Sequence, residues 1–256
     1  MDIIGIIPAR MNSTRFPGKP LAKIRGRAMI YHVYRRSKMA KILGDVYIAT
    51  CDKEIKNYCL KNGMNVIMTK DTHQRASDRT REAAEKIEKK NGKKIDIIVM
   101  IQGDEPLVCP EMIEESVGPI LEDPAINVTN LMAPLKSDKE HEDFNEIKVV
   151  IDTQNFALYF SRQPIPTKKE NIFGIPVYKQ VCIIPFRRDF LFKFSSFEPT
   201  PLEIAESIDM LRILEHGYRV KMVLTGFESQ SVDNRNDLTK VEKLMKKDPL
   251  VKKYVN

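Results

Sequence analysis

Tryptophan is absent from this 256-residue chain, only four cysteines are present, and no apolar run approaches the ~18 residues that a membrane helix needs. Cys51, Cys59, Cys109 and Cys182 are scattered, with no C-x-x-C pair and no histidine at zinc-finger spacing. A disulfide framework and a structural zinc therefore have no support, and reduced thiols in a cytoplasm are the expectation. The N-terminus runs into its first apolar stretch without the basic region, longer apolar core and cleavage site of a secretory signal. Net charge is +7, and Lys246-Lys247 and Lys252-Lys253 make the tail basic. Nucleic-acid binding would interleave such charge with exposed aromatic rings, which the lack of tryptophan and the placement of most phenylalanines in apolar segments argue against. No nucleic-acid or membrane partner is expected. Also missing after the first strand are G-x-x-x-x-G-K-[ST] and G-x-G-x-x-G, which sets aside a P-loop ATPase and a dinucleotide oxidoreductase.

What is present is concentrated first at residues 3–21. Residues 3–7, Ile-Ile-Gly-Ile-Ile, read as a parallel strand buried on both faces and ended by Pro8. The loop beyond carries Arg10, Arg15 and Lys19, the hydroxyls of Ser13 and Thr14, a Pro17-Gly18 turn and no acid. In an open α/β sheet ligands bind beyond the carboxyl ends of the strands, so this loop offers charge and donors to a polyanion such as a triphosphate.

The rest alternates strand and helix. A helix is predicted over 28–40 with Arg35, Arg36 and Lys38 outward, then a strand at 46–50, and a helix at 53–61 capped by Asp52 and ended by Asn62-Gly63. A short strand at 64–68 and a polar loop lead to a helix at 77–90, and a buried strand at 95–101 follows. Repeated βαβ units of this kind make a doubly wound, mostly parallel α/β sheet. Strand 95–101 runs into Gln102-Gly103-Asp104-Glu105-Pro106, which places carboxylates at a strand's carboxyl end, where a hard cation beside phosphates would bind. An Asp-Glu-Pro turn leading to a helix from Pro110 is the plain alternative. Further strands are expected at 126–132, 145–152 and 177–186, a helical turn at 187–194, and an amphipathic helix at 201–216 ended by Gly217. Residues 167–174, with Lys168-Lys169, read as a mobile loop, and Asp233, just ahead of a helix, as a plain N-cap. With no repeat and no visible boundary, residues 1–256 are expected to form a single domain.

The string Ile6-Ile7-Pro8-Ala9-Arg10-x-x-Ser13-Thr14-Arg15-x-Pro17-Gly18-Lys19-Pro20-Leu21 resembles the signature of the CMP-KDO synthetases, the 3-deoxy-manno-octulosonate cytidylyltransferases of the sugar nucleotidyltransferase fold. Spore-coat-type transferases carry a similar loop, so the loop marks the superfamily more firmly than the sugar. Gln102 to Pro106, Ser77-Asp78-Arg79, Tyr159-Phe160-Ser161-Arg162 and Val232-Asp233 are similar to further family segments. The resemblance implies a cytidylyltransferase that joins CTP to a 2-keto-3-deoxy sugar acid, with Mg2+ as cofactor and a homodimer as assembly. It implies that Pro8, Ala9, Arg10, Ser13, Lys19 and Ser77 bind the nucleotide, with Arg10, Lys19 and Asp104 catalytic. Asp104 and Asp233 would hold the metal, and Arg79, Gln102, Arg162, Gln180 and Asp209 would contact the sugar. The rival readings are a nucleotidyltransferase for another acceptor and a non-enzymatic nucleotide-binding protein of the same fold.

The resemblance breaks where the sugar should lie. Gln180 replaces a His, Ile184 and Phe186 replace two Tyr, and Asp209-Met210 replaces Glu-Gln, while Arg75-Ala76 stands where the family has Ser-Gly and would alter the backbone's approach to the cytosine. Lost polar groups at such positions imply that KDO is not the acceptor or is a poor one, the candidates being a relative with an amine or acylamine in place of a hydroxyl or another ulosonic acid, against the plainer reading that neighbouring side chains compensate and KDO is used.

Overall fold

A computed structural model describes residues 1–13, 15–167, 175–228 and 230–255. The chain folds as two compact units, the first made of Met1–Glu114 and Glu228–Asn256, the second of Glu115–Phe227.

The first unit opens with β1 (Ile3–Ala9), a small hairpin of β2 (Lys23–Ile24) and β3 (Arg27–Ala28), and α1 (Met29–Ser37). Then come β4 (Asp45–Thr50), α2 (Lys53–Lys61), β5 (Val66–Met68), α3 (Ala76–Asn91), β6 (Ile97–Ile101) and α4 (Pro110–Glu122), within which the division between units falls. Strands β6, β1, β4 and β5 lie side by side in that order, all parallel. Every residue of β1 and β6 is buried, which is why both read as unbroken apolar runs. Their carboxyl ends lie together at one edge of this sheet.

Three local expectations are corrected. Pro8 does not end β1: pairing with β6 stops at Ile6, but pairing with β4 continues through Pro8 to Ala9. A proline cannot donate to a ladder, and here it falls where only one neighbour remains. Arg36 is not outward but 2% exposed, donating to the carbonyls of Val108 at 2.5 Å and Leu107 at 3.1 Å and to Asp248. Asp52 stands at the N-cap of α2 without capping it, because its carboxylate accepts the Met11 amide at 2.8 Å.

The second unit contains β7 (Thr129–Pro134), α5 (Asp138–Glu142), β8 (Lys148–Ile151), β9 (Ala157–Ser161), β10 (Tyr178–Val181), β11 (Ile183–Arg187), α6 (Arg188–Phe194), α7 (Pro201–Glu206), α8 (Met210–Glu215) and β12 (Lys221–Leu224). Its sheet, β12-β7-β10-β8-β9, is antiparallel except for the parallel pair β12–β7. The single strand expected at 177–186 is two, broken at Cys182, because β10 pairs with β7 and β8 while Phe186 of β11 bridges to Val128. The single helix at 201–216 is also two. Ser207 takes a left-handed φ of 56°, and the Glu206 carbonyl, which a continuing helix would use, accepts Arg162 Nε at 2.9 Å instead.

The chain then returns to the first unit as α9 (Arg235–Lys247). Val241 and Met245 of α9 pack with Val232 and Val251 against Phe16, Ile24, Met29 and Leu107. Phe16 belongs to the cationic loop, so the C-terminal segment forms the apolar floor beneath it.

Candidate active site

The loop after β1 is shaped by its own backbone. Met11 O accepts the amides of Ser13 and Gly18, each at 3.0 Å, and Gly18 holds the left-handed φ of 73° that lets the chain turn into the 3-10 turn Lys19–Leu21. Phe16 anchors the loop below and Asp52 holds it at Met11. This delivers Lys19 to the carboxyl end of β6. Its Nζ lies 2.6 Å from Asp104 Oδ2 and 3.5 Å from Asp233 Oδ1, and Arg15 Nη2 lies 2.8 Å from the same Asp233 oxygen.

The two aspartates, distant in sequence, are joined through the backbone, since the Val232 amide donates to the Asp104 carbonyl at 3.0 Å. Gly103, just before Asp104, lets this turn lie close against β1 and α1: a Cβ there would stand 3.0 Å from Pro8 O and 3.2 Å from Ile30 Cδ1. Asp233 is not the helix cap; Asn234 is, accepting the amides of Asn236 and Asp237. Burial works against the Lys19 charge, yet the carboxylates of Asp104 and Asp233 outweigh it and raise its pKa. Burial and then the like charge of Asp104 raise the pKa of Asp233, against the pull of Lys19 and Arg15. Two acids crowded on one ammonium are a donor set for a divalent cation. Among the described residues no group of three or more His, Cys, Asp or Glu gathers for a metal, so a cation here would complete its shell from water and phosphate oxygens.

The other residues expected at the site are placed as follows. Pro8 and Ala9 are buried at the end of β1, Arg10 is exposed just beyond, Ser13 is half-buried, and Thr14 lies outside the described residues. Gln102 is half-buried, its carbonyl accepting the Glu105 amide. Ser77 is fully buried in the first turn of α3. Arg79 is 3% exposed, and its Nη1 donates to Thr69 Oγ1 at 2.5 Å and Lys70 O at 3.2 Å, bonds that hold the 69–79 loop.

That loop has an organiser missed in the sequence. Glu82 accepts the Lys70 amide at 2.9 Å, Lys86 at 2.7 Å and His73 Nε2. Burial would raise its carboxyl, but these bonds bring it from 4.5 down to about 2. A depressed folded-state pKa means stabilisation present above about pH 4.5 and lost as pH falls toward 2. Urea midpoints at pH 5 and pH 3 are expected to show the gap between wild type and Glu82→Gln narrowing at the lower pH. A constant gap would unlink this carboxylate from folding.

In the second unit, Arg162 Nε donates to Glu206 O and its Nη1 to Phe144 O at 3.2 Å, while its own amide meets Glu206 Oε2 at 2.8 Å. Lys148, fully buried, gives its ammonium to three carbonyls, Asp143 at 2.8 Å, Glu146 at 2.7 Å and Arg162 at 2.5 Å, and burial lowers its pKa. Gln180 Nε2 donates to the buried Asn130 at 2.6 Å. Asp209 is half-buried ahead of α8, whereas Ile184, Phe186 and Met210 are buried outright. Lys168-Lys169 lie outside the described residues. Glu206, at the end of α7, meets Ser161 and Arg162 more than forty residues earlier in the chain, a pairing no local signal announces.

A parallel sheet opening onto a cationic loop, set against paired carboxylates, belongs to the α/β nucleotidyltransferase fold. Residues 4–223 match the family model described as cytidylyltransferase, and the chain belongs to that family. It is 43% identical to the 3-deoxy-manno-octulosonate cytidylyltransferase of Geobacter metallireducens, over 95% of this chain and 98% of that one. The enzyme of the same name from Geobacter sulfurreducens is 42% identical, over 95% of this chain and all of its relative. Among solved structures, CMP:2-keto-3-deoxy-manno-octonic acid synthetase complexed with CTP superposes with a TM-score of 0.87 at 34% identity, covering 96% of this chain and 99% of that one.

Proposed function

We propose that the protein transfers CMP from CTP to 3-deoxy-manno-octulosonate (KDO), releasing pyrophosphate. The observation that carries this reading is Lys19 set between Asp104 and Asp233 at the carboxyl ends of β1 and β6. Likeness to enzymes bearing that name, over nearly the whole chain, supports the choice of substrates. The anomeric hydroxyl oxygen of the sugar attacks the α-phosphorus, the bond from that phosphorus to the bridging oxygen of the β-phosphate breaks, and the hydroxyl proton passes to solvent. Transfer of this kind depends on positioning and charge neutralisation. Arg10, Ser13 and Lys19 bind the triphosphate, and Lys19 balances charge on the departing pyrophosphate. Asp104 and Asp233 would hold Mg2+, which neutralises phosphate charge and makes the attacking hydroxyl more acidic. Ser77 serves the nucleotide, while Arg79, Gln102, Arg162, Gln180 and Asp209 serve the sugar. The working form is a cytoplasmic homodimer, as the family resemblance implies.

Burial of Ile184, Phe186 and Met210 puts those departures from the family pattern at packing positions, which favours KDO itself over an altered sugar. Pyrophosphate release with CTP, Mg2+ and a panel of sugar acids tests both points. KDO is expected to reach a kcat/KM of about 10⁴ M⁻¹s⁻¹ or better, with no amino or acylamino analogue above it. A faster analogue would restore the altered sugar, and silence across the panel would leave a different acceptor or a mere binder. Lys19→Ala is expected to weaken CTP binding, measured by calorimetry, far more than sugar binding. Unchanged CTP affinity with unchanged turnover would reduce the loop to a basic surface.

A further inference from the structure

Asp233 is held from both sides. Ahead of it, the Val232 amide donates to Asp104 O at 3.0 Å, and Val232 itself is buried in the cluster beneath the loop. Behind it, a single oxygen of Asp237, Oδ2, accepts both the Asp233 amide and the Asn234 amide, each at 3.2 Å. In a capping box the N3 side chain accepts the N-cap amide. Asp237 does that for Asn234 and also takes the amide before it, the main chain of the residue whose carboxylate faces Lys19. Asp237 is 9% exposed, its other oxygen meets Lys240 Nζ at 3.3 Å, and its negative charge is unfavourable to Asp233. An acid kept there against like-charge repulsion is useful for where its oxygen sits.

We infer that Asp237 is a positioning residue for the cation site, acting through Asp233 by fixing that residue's main chain relative to Asp104. This rests on the reading of Asp104 and Asp233 as metal ligands. Groups that orient a metal ligand typically affect affinity by about 10–100-fold. The experiment is titration of Mn2+, detected by electron paramagnetic resonance, into the protein with CTP, for wild type, Asp233→Asn, Asp237→Ala and Asp237→Asn. Thermal melts show which variants are folded. Asp237→Asn retains an acceptor oxygen and is expected to bind Mn2+ within about threefold of wild type, whereas Asp237→Ala loses at least about tenfold. If Asp237→Ala does not fold, Asp237→Ser replaces it, since its oxygen falls short of the two amides. Wild-type affinity in folded Asp237→Ala, despite a lowered melting temperature, would make Asp237 a helix cap and nothing more. Equal losses in the Ala and Asn variants would assign the effect to charge and overturn the inference. If Asp233→Asn binds Mn2+ as wild type does, the metal reading fails, and the inference with it.

Discussion

Asp104→Asn and Asp233→Asn are each expected to lower turnover by about 10²–10³ while leaving the fold intact, the cost of one lost charge-stabilising contact at a reacting centre. Both carboxylates reach Lys19, at 2.6 and 3.5 Å, from segments joined by the Val232–Asp104 backbone bond, which neither substitution removes. An amide preserves shape and one acceptor oxygen but not the charge that draws a divalent cation. The loss should therefore persist at saturating CTP and sugar, and melting temperature should barely move. Near-normal turnover by either variant at saturating Mg2+ would remove that residue from the mechanism.

The largest loss of stability is expected from Arg212→Met in the second unit. Arg212 meets Glu203 through two hydrogen bonds of 2.6 and 2.5 Å, with Arg212 3% exposed and Glu203 fully buried. The guanidinium also lies over the Phe194 ring, 5.2 Å from its centroid. Removing one member of such a pair strands a buried charge at a cost of about 3–5 kcal/mol, roughly a 10 °C fall in Tm for a protein of this size. The double variant Arg212→Met with Glu203→Leu is expected to recover part of that fall, since two apolar groups leave no charge behind. A drop under about 2 °C in the single variant would show that the pair is not needed.

These two sites also mark how far the sequence could be read. Strands β1, β4 and β6 were legible because burial on both faces leaves continuous apolar runs, and the cationic loop because charge, hydroxyls and a turn directly follow the first of them. Pairings across long stretches of chain were not. Nothing local says that Lys19 meets Asp104, that Arg36 turns inward to Asp248, or that Glu82 gathers Lys70 and His73 from the loop before its helix. Asp104 and Asp233 were singled out together only through family resemblance. The breaks at Cys182 and Ser207 were hidden for another reason: side-chain periodicity runs straight through both, and each is set by partners elsewhere in the chain, strand pairing at the first and the Arg162 guanidinium at the second. Arg79 and Arg162 show the same limit, since family resemblance suggested substrate contacts while their guanidinium groups also hold neighbouring carbonyls.

The Phe16 cluster has a consequence for the order in which the molecule can be made. Glu228–Asn256 supplies both the second aspartate and the apolar floor of the loop, yet it is translated only after the whole of the second unit. The second unit is one continuous stretch and can collapse on its own contacts while synthesis continues, whereas the first must wait to close over a long separation in sequence. A ribosome-bound chain that already displays β1, Lys19 and Asp104 thus still lacks Asp233 and the apolar floor of the loop, and both arrive only after the whole second unit has been made.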